Sequence, residues 1–392
     1  MRLHILGLPH TITTSEYSHC AYTGKILRFP QMMQSVGYEV FHYGVDGAET
    51  TADKHVSVMM YEEWDELRRT CLKRLKPDRP QEELDRPQDF IGDLADVSND
   101  LYKSFNHRVK VLLEKYVKPG DAICLPFGHG HYSAVYDFWQ KGEAYVVETG
   151  IGYPDSFSQF RVFESNAWYH HELGRSGKTG DDYWTVIPNY FDTKEWDFNP
   201  NPQKFVVYFG RIAELKGLEI VREFARHRPD VMVKIVGQGD PNPFLTEPNI
   251  QYHPPLSGRD RSKLLGNAQA VLMPTRYIEP FGGVTIEANL CGTPVLGSSY
   301  GSFTETIGNG FNGYRCNTLG DFLAGFEAIE NGKLNRYAIR QHANKRYNMY
   351  AVAERYDEYF QQLDDLKNGE GWYTYRSRYG PIERAGKLDY TE

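Results

Sequence analysis

The sequence predicts an α/β protein made of two doubly wound domains, and three observations carry that prediction. At 392 residues the chain is too long for one compact core and suits two domains of roughly 150 to 200 residues each. Near the start, an apolar stretch over 2–8, a loop, helical spacing over 25–35 and an extended stretch from Gly37 to Val40 form the strand–helix–strand unit that opens a parallel sheet. A second series restarts at 204–209 and continues at 231–236, 270–273 and 294–296, with helical segments between, so a second parallel sheet is expected.

Taken in order, the loop from Pro9 to Tyr22 is polar and rich in Thr, Ser and His. Helical patterns over 62–75 and 98–117 flank a Pro- and Asp-rich insertion at 77–96. Asp121 to Leu125 reads as a strand, the loop PFGHGHYS and an apolar helix follow, and 143–148 is another strand. The aromatic-rich run from Glu148 to Trp168 has no clear period. Thr185 to Asn189 closes the first domain, and 190–203, with two Asn and two Pro, reads as a hinge. In the second domain Ala270 to Pro274 is a buried parallel strand, and the helix from Val284 ends at Gly292 and Pro294. A last long helix is expected over 350–367, and no internal repeat or low-complexity segment is visible.

Net charge is −8 with a pI near 5.9, so nothing global calls for a polyanionic partner. No run of about 18 apolar residues is available for a membrane span. The opening MRLHILGLPH breaks at Gly7 and Pro9, too early for a secretory signal, and reads as the first strand. Five cysteines (Cys20, Cys71, Cys124, Cys291, Cys316) are scattered and odd in number, without a C-x-x-C. They read as free thiols in a reducing, cytoplasmic compartment.

The chemistry centres on 274–315, where a strand, a loop bearing Glu279, the pair Gly282-Gly283 and a helix bearing Glu287 follow one another. Glycines in front of a helix leave free N–H groups, here Gly282 and Gly283 and the amides of Val284 and Thr285, facing whatever docks there, and the helix dipole favours an anion. Two carboxylates flanking a bound anion suit a phosphorylated sugar, with phosphate at the amides and hydroxyls at the acids. In the second domain, Arg211 and Lys216 stand five residues apart after its first strand and can clamp a diphosphate.

Glu279, Pro280, Phe281, Gly282, Gly283 and Glu287, with Gly292-Thr293-Pro294-Val295, resemble the E-x7-E motif of the family-4 (group 1) retaining glycosyltransferases. Gly210 to Gly217 is similar to that family's G-R-x(4)-K-G segment, and the Ile-Pro-Asn at 187–189 to the segment at which it changes domain. The resemblance implies the GT-B fold: two Rossmann-like domains, 1–189 for the acceptor and 204–346 for the nucleotide sugar, facing each other across a cleft, with 347–392 packing back on the first. It assigns Arg211 and Lys216 to the leaving diphosphate, Glu287 to the ribose and Glu279 to the transferred sugar, and puts the nucleobase near Tyr252 to Leu256. His131, or failing that His129, is expected to contact the donor sugar, and Gly7 to approach the diphosphate. Leu8, Pro9 and His10 depart from the double glycine of many relatives there. A hexose, best guessed as glucose, is then moved with retention from UDP-glucose or GDP-mannose to an acceptor hydroxyl. A front-face mechanism serves, with no metal or cofactor.

Rival classes remain at this stage. Arg68, Arg69, Lys73, Arg74, Lys76 and Arg79, with the tail Trp372 to Gly380, suggest a nucleic-acid surface and hence glucosylation of a hydroxymethylated DNA base. Against that, Glu62, Glu63, Asp65 and Glu66 precede the basic cluster, which suits a solvated helix face. Glu279 and Glu287 could instead pose as the acids of a retaining glycosidase, which has no diphosphate for Arg211 and Lys216 to hold. A sugar-nucleotide binder without turnover is the third class. The acceptor is open among saccharide, protein, small molecule and modified DNA.

Overall fold

A computed structural model describes residues 1–78, 80–85, 92–180 and 183–368. The chain divides into two units. The first takes in 1–163, 180–187 and the last helix from 352, and the second takes in 164–179 and 188–351.

The first unit holds a parallel sheet of seven strands: β1 Arg2–Leu6, β2 Glu39–Val45, β3 Lys54–Met59, β4 Ala122–Leu125, β5 Tyr145–Ile151, β6 Phe160–Phe163 and β7 Trp184–Val186, in the order β3-β2-β1-β4-β5-β6-β7. The second holds six: β8 Phe205–Phe209, β9 Met232–Val236, β10 Ile250–His253, β11 Ala270–Met273, β12 Val295–Ser298 and β13 Gly313–Cys316, in the order β10-β9-β8-β11-β12-β13. Both are the doubly wound α/β arrangement expected from sequence. Strand order reverses between β1 and β4 and between β8 and β11, and ligands of such sheets sit outside the carboxyl ends of the strands at that point.

Covered on both faces by helices, the central strands read as continuous apolar runs such as Phe205–Phe209, all buried. The strands missed in sequence, β3, β6, β7, β10 and β13, lie toward the sheet edges, and their short, mixed runs gave too weak a period. β5 extends through Glu148, Thr149, Gly150 and Ile151 into the run that had no assignment.

Two segments depart from expectation. Residues 164–179, read as first domain, fold with the second unit. Their helix Asn166–Ser176 is capped by Ser165, and its first amides, of Asn166 and Ala167, donate to the Glu305 carboxylate at 3.0 and 2.7 Å. The supposed hinge 190–203 is no exposed linker: Phe191 and Trp196 are in the second unit's core, and the Phe191 amide donates to the Tyr347 carbonyl. Its aromatic residues outweigh the turn-forming asparagines and prolines. The long helix runs Met349–Asn368, and Tyr359 of it donates to the Tyr183 carbonyl in the first unit. Among the described residues no helix is long and apolar enough to cross a membrane, and no group of three His, Cys, Asp or Glu side chains could hold a metal.

Candidate functional site

In the second unit, the loops after β8 and β11 flank the point of reversal, and the sequence places Arg211 and Lys216 on one and Glu279 on the other. Their main chains are joined, since the Arg276 amide donates to the Leu215 carbonyl at 2.7 Å. Gly217 is required for this approach: with φ +71° it lies against β11, and a Cβ there would fall 2.0 Å from the Pro274 carbonyl oxygen. The Lys216 ammonium thereby reaches Glu279 Oε2 at 2.8 Å and the Tyr277 hydroxyl at 2.6 Å, while that hydroxyl donates to the same Oε2 at 2.7 Å. Burial and the neighbouring Glu279 carboxylate push the Tyr277 phenol well above its ordinary range, so it stays a donor. The Arg211 side chain is exposed, and Tyr208 donates to its carbonyl at the end of β8.

Downstream, Gly282 caps the helix Gly283–Leu290 with φ +72°, and a Cβ on it would lie 2.6 Å from the Phe303 ring. Gly283, by contrast, has open space around it, its nearest neighbour being Phe191 at 3.9 Å from a built Cβ. A ligand can therefore approach the helix start closely. Val284 is half-buried, and Thr285 is buried with its hydroxyl unpartnered. Glu287, on the fifth residue of the helix, pairs with Arg261 of the helix Gly258–Asn267. Tyr252, on β10, donates to the Gly237 carbonyl at 3.1 Å. The segments after β8, β9 and β11 thus lie together at the carboxyl ends of this parallel sheet.

The first unit has its own cluster at the reversal between β1 and β4. Gly7 donates to the Tyr43 carbonyl, and a Cβ on it would come within 2.8 Å of that oxygen, so glycine is dictated here by packing on β2. The loop after β4 separates its two histidines: His129 is exposed, whereas His131 is fully buried. Asn106 holds the loop from the helix Asp100–Tyr116, donating to the Gly130 carbonyl at 2.7 Å. Its amide oxygen therefore accepts from His131 Nδ1, 2.9 Å away, which leaves Nε2 a lone-pair acceptor without a hydrogen-bond partner. Burial and the nearby His10 lower the His131 pKa to about 3, against a weaker upward pull from the Gly7 backbone, so the ring is neutral.

Three residues outside the sequence reading support these groups. Tyr277 bridges Lys216 and Glu279, and Arg261 faces Glu287. Buried Glu148 accepts from Tyr153 and from the Phe157 and Ser158 amides, and the Tyr153 oxygen in turn accepts from the Gly128 amide, fixing the histidine loop. Only Tyr277 carried a sequence signal, its place two residues before Glu279.

The basic cluster is largely neutralised. Arg68 is buried and paired with Asp65, Arg69 bonds Asp65 and Asp85, and Arg74 bonds Asp100. It is therefore not wholly the solvated face expected, nor a free cationic surface. Arg79 and the tail 372–380 lie outside the described residues.

Two parallel doubly wound units with a conjoined cation and acid at the reversal of the second define the GT-B class of glycosyltransferase fold. AviGT4, a glycosyltransferase involved in Avilamycin A biosynthesis, superposes with a TM-score of 0.65 at 16% identity, over 93% of this chain and 98% of its own. The sucrose-phosphate synthase of Thermosynechococcus elongatus gives 0.66 at 15%, over 93% and 100%. Anabaena HepE in complex with UDP and glucose gives 0.58 at 16%, over 92% and 99%. Residues 191–346 match the family model for glycosyl transferases group 1. A D-inositol 3-phosphate glycosyltransferase of Mycolicibacterium smegmatis is 31% identical over 128 residues, 29% of either chain. One from Mycobacterium tuberculosis strain F11 is 30% identical over 128 residues, covering 29% of this chain and 26% of its own. The chain thus matches under a third of the length of these curated relatives.

Proposed function

We propose that this protein is a glycosyltransferase that moves a hexosyl group from a nucleoside-diphosphate sugar to an acceptor hydroxyl with retention of configuration. The observation that carries this is the contact of Lys216 with Glu279 beside the glycine-fronted helix. A cation and a sugar-binding acid within one hydrogen bond of each other match a ligand whose phosphate adjoins its sugar. Lys216 and Arg211 neutralise charge as it develops on the leaving phosphate, a large catalytic contribution, and take the place a metal would otherwise fill. The phosphate oxygen so released can accept the acceptor's proton on the same face of the sugar. Glucose from UDP-glucose is the donor we favour, supported by the neighbour solved with UDP and glucose. Glu279 and Glu287 each already face a cation, which suits ligand-holding acids rather than the acid and nucleophile of a glycosidase.

Incubation with a panel of UDP- and GDP-sugars without acceptor tests the proposal. Slow release of nucleoside diphosphate from one donor, lost in Lys216→Met, is expected. Cleavage of aryl glycosides with no such release would establish a hydrolase, and donor binding without turnover a binder.

A further inference from the structure

We propose that Arg261 is the residue that makes this site read the ribose of its nucleotide. The inference rests on the functional reading above and deepens it. Arg261 lies on the helix Gly258–Asn267, outside the motifs that the sequence singles out. Three elements converge on it. Its guanidinium carbon lies 4.6 Å over the ring of Phe209, the last residue of β8. One terminal nitrogen bonds Glu287 Oε2 on the helix Gly283–Leu290, and both side chains are only 12% exposed. Its Nε is buried without a hydrogen-bond partner.

A flat guanidinium resting on a ring has little freedom to rotate, so the bond it makes holds one oxygen of the Glu287 carboxylate in place. Oε2 is committed to Arg261, while Oε1 bonds no side chain among the described residues and is presented in a set direction. A carboxylate held this way accepts from a vicinal diol, whose two hydroxyls lie at fixed spacing. The positive charge also offsets Glu287, so a diphosphate can dock at the neighbouring helix start without facing a bare anion. Arg261 touches no substrate in this scheme; it is a positioning residue for Glu287.

The test is titration calorimetry on the full chain with UDP and GDP and with their 2′,3′-dideoxy counterparts. The wild type should prefer the ribonucleotide by roughly 10- to 100-fold, since losing the hydroxyls strands a polar site. Arg261→Gln should cut that ratio to about threefold, and adding Glu287→Gln should lower it little further, because both changes remove one device. A structural role alone would weaken ribo- and dideoxynucleotide equally. An equal loss, or an unchanged ratio, overturns the proposal. Should Arg261→Gln fail to fold, Arg261→Lys serves, because a flexible ammonium keeps the charge without the flat group that rests on the Phe209 ring; an unchanged ratio there is equally fatal. If neither UDP nor GDP binds the wild type, the glycosyltransferase reading itself falls and takes this proposal with it.

Discussion

Replacing Glu279 by Gln keeps the side chain's shape and removes its charge, and the structure predicts an unusual consequence: UDP should bind more tightly while sugar transfer collapses. The Glu279 carboxylate engages the Lys216 ammonium at 2.8 Å, and a diphosphate has to share that cation with it. Two like charges about 6 Å apart at an effective dielectric of about 20 repel by about 3 kcal/mol. The pair is 13–15% exposed, so solvent screening reduces this to about 1 kcal/mol, or about fivefold in affinity. Titration of UDP into wild type and Glu279→Gln at low and high salt measures it, and the gain should shrink as salt rises. Transfer should fall, because the amide cannot accept two sugar hydroxyls as a carboxylate does. UDP binding Glu279→Gln no more tightly than wild type at low salt would refute the competition inferred for Lys216.

Three further outcomes are expected. Gly282→Ala puts a side chain at φ +72° and against Phe303, so it should destabilise the protein by about 2 to 3 kcal/mol in chemical denaturation; a loss below half of that would show the turn to be more yielding. With Arg68 and its neighbours paired to acids, duplex DNA should not bind more tightly than about 10⁻⁶ M at physiological salt, and tighter binding by filter retention would restore the DNA-modifying alternative. Burial holds His10 at about 4 and His131 at about 3, below the ordinary value near 6.5. The unfolded chain therefore binds protons first, so the stability these rings confer is full above about pH 6.5 and is lost as pH falls toward about 4 for His10 and about 3 for His131. Thermal melts across that range should show the fall, and His10→Gln should flatten it; an unaltered slope would remove His10 from the account.

The sequence by itself determined the two parallel sheets and singled out candidate residues in the second unit. Buried parallel strands are continuous apolar runs, and a loop that must approach a ligand needs glycine, so both leave local marks such as Phe205–Phe209 and Gly282-Gly283. Local marks were absent where a residue's neighbours are remote in sequence. Phe191 and Trp196 enter a core built by strands far downstream, so polar composition misread them as a linker. Glu305 captures the amides of 166 and 167 from nearly 140 positions away and draws that helix into the second unit. Equally, spacing could not say that Lys216 and Tyr277 together hold Glu279, that Arg261 holds Glu287, or that of two histidines in one loop His131 is buried and His129 exposed. Those partners are chosen by how helices and loops stack at the ends of the strands, and side-chain contacts across such a stack exist only once the chain has folded.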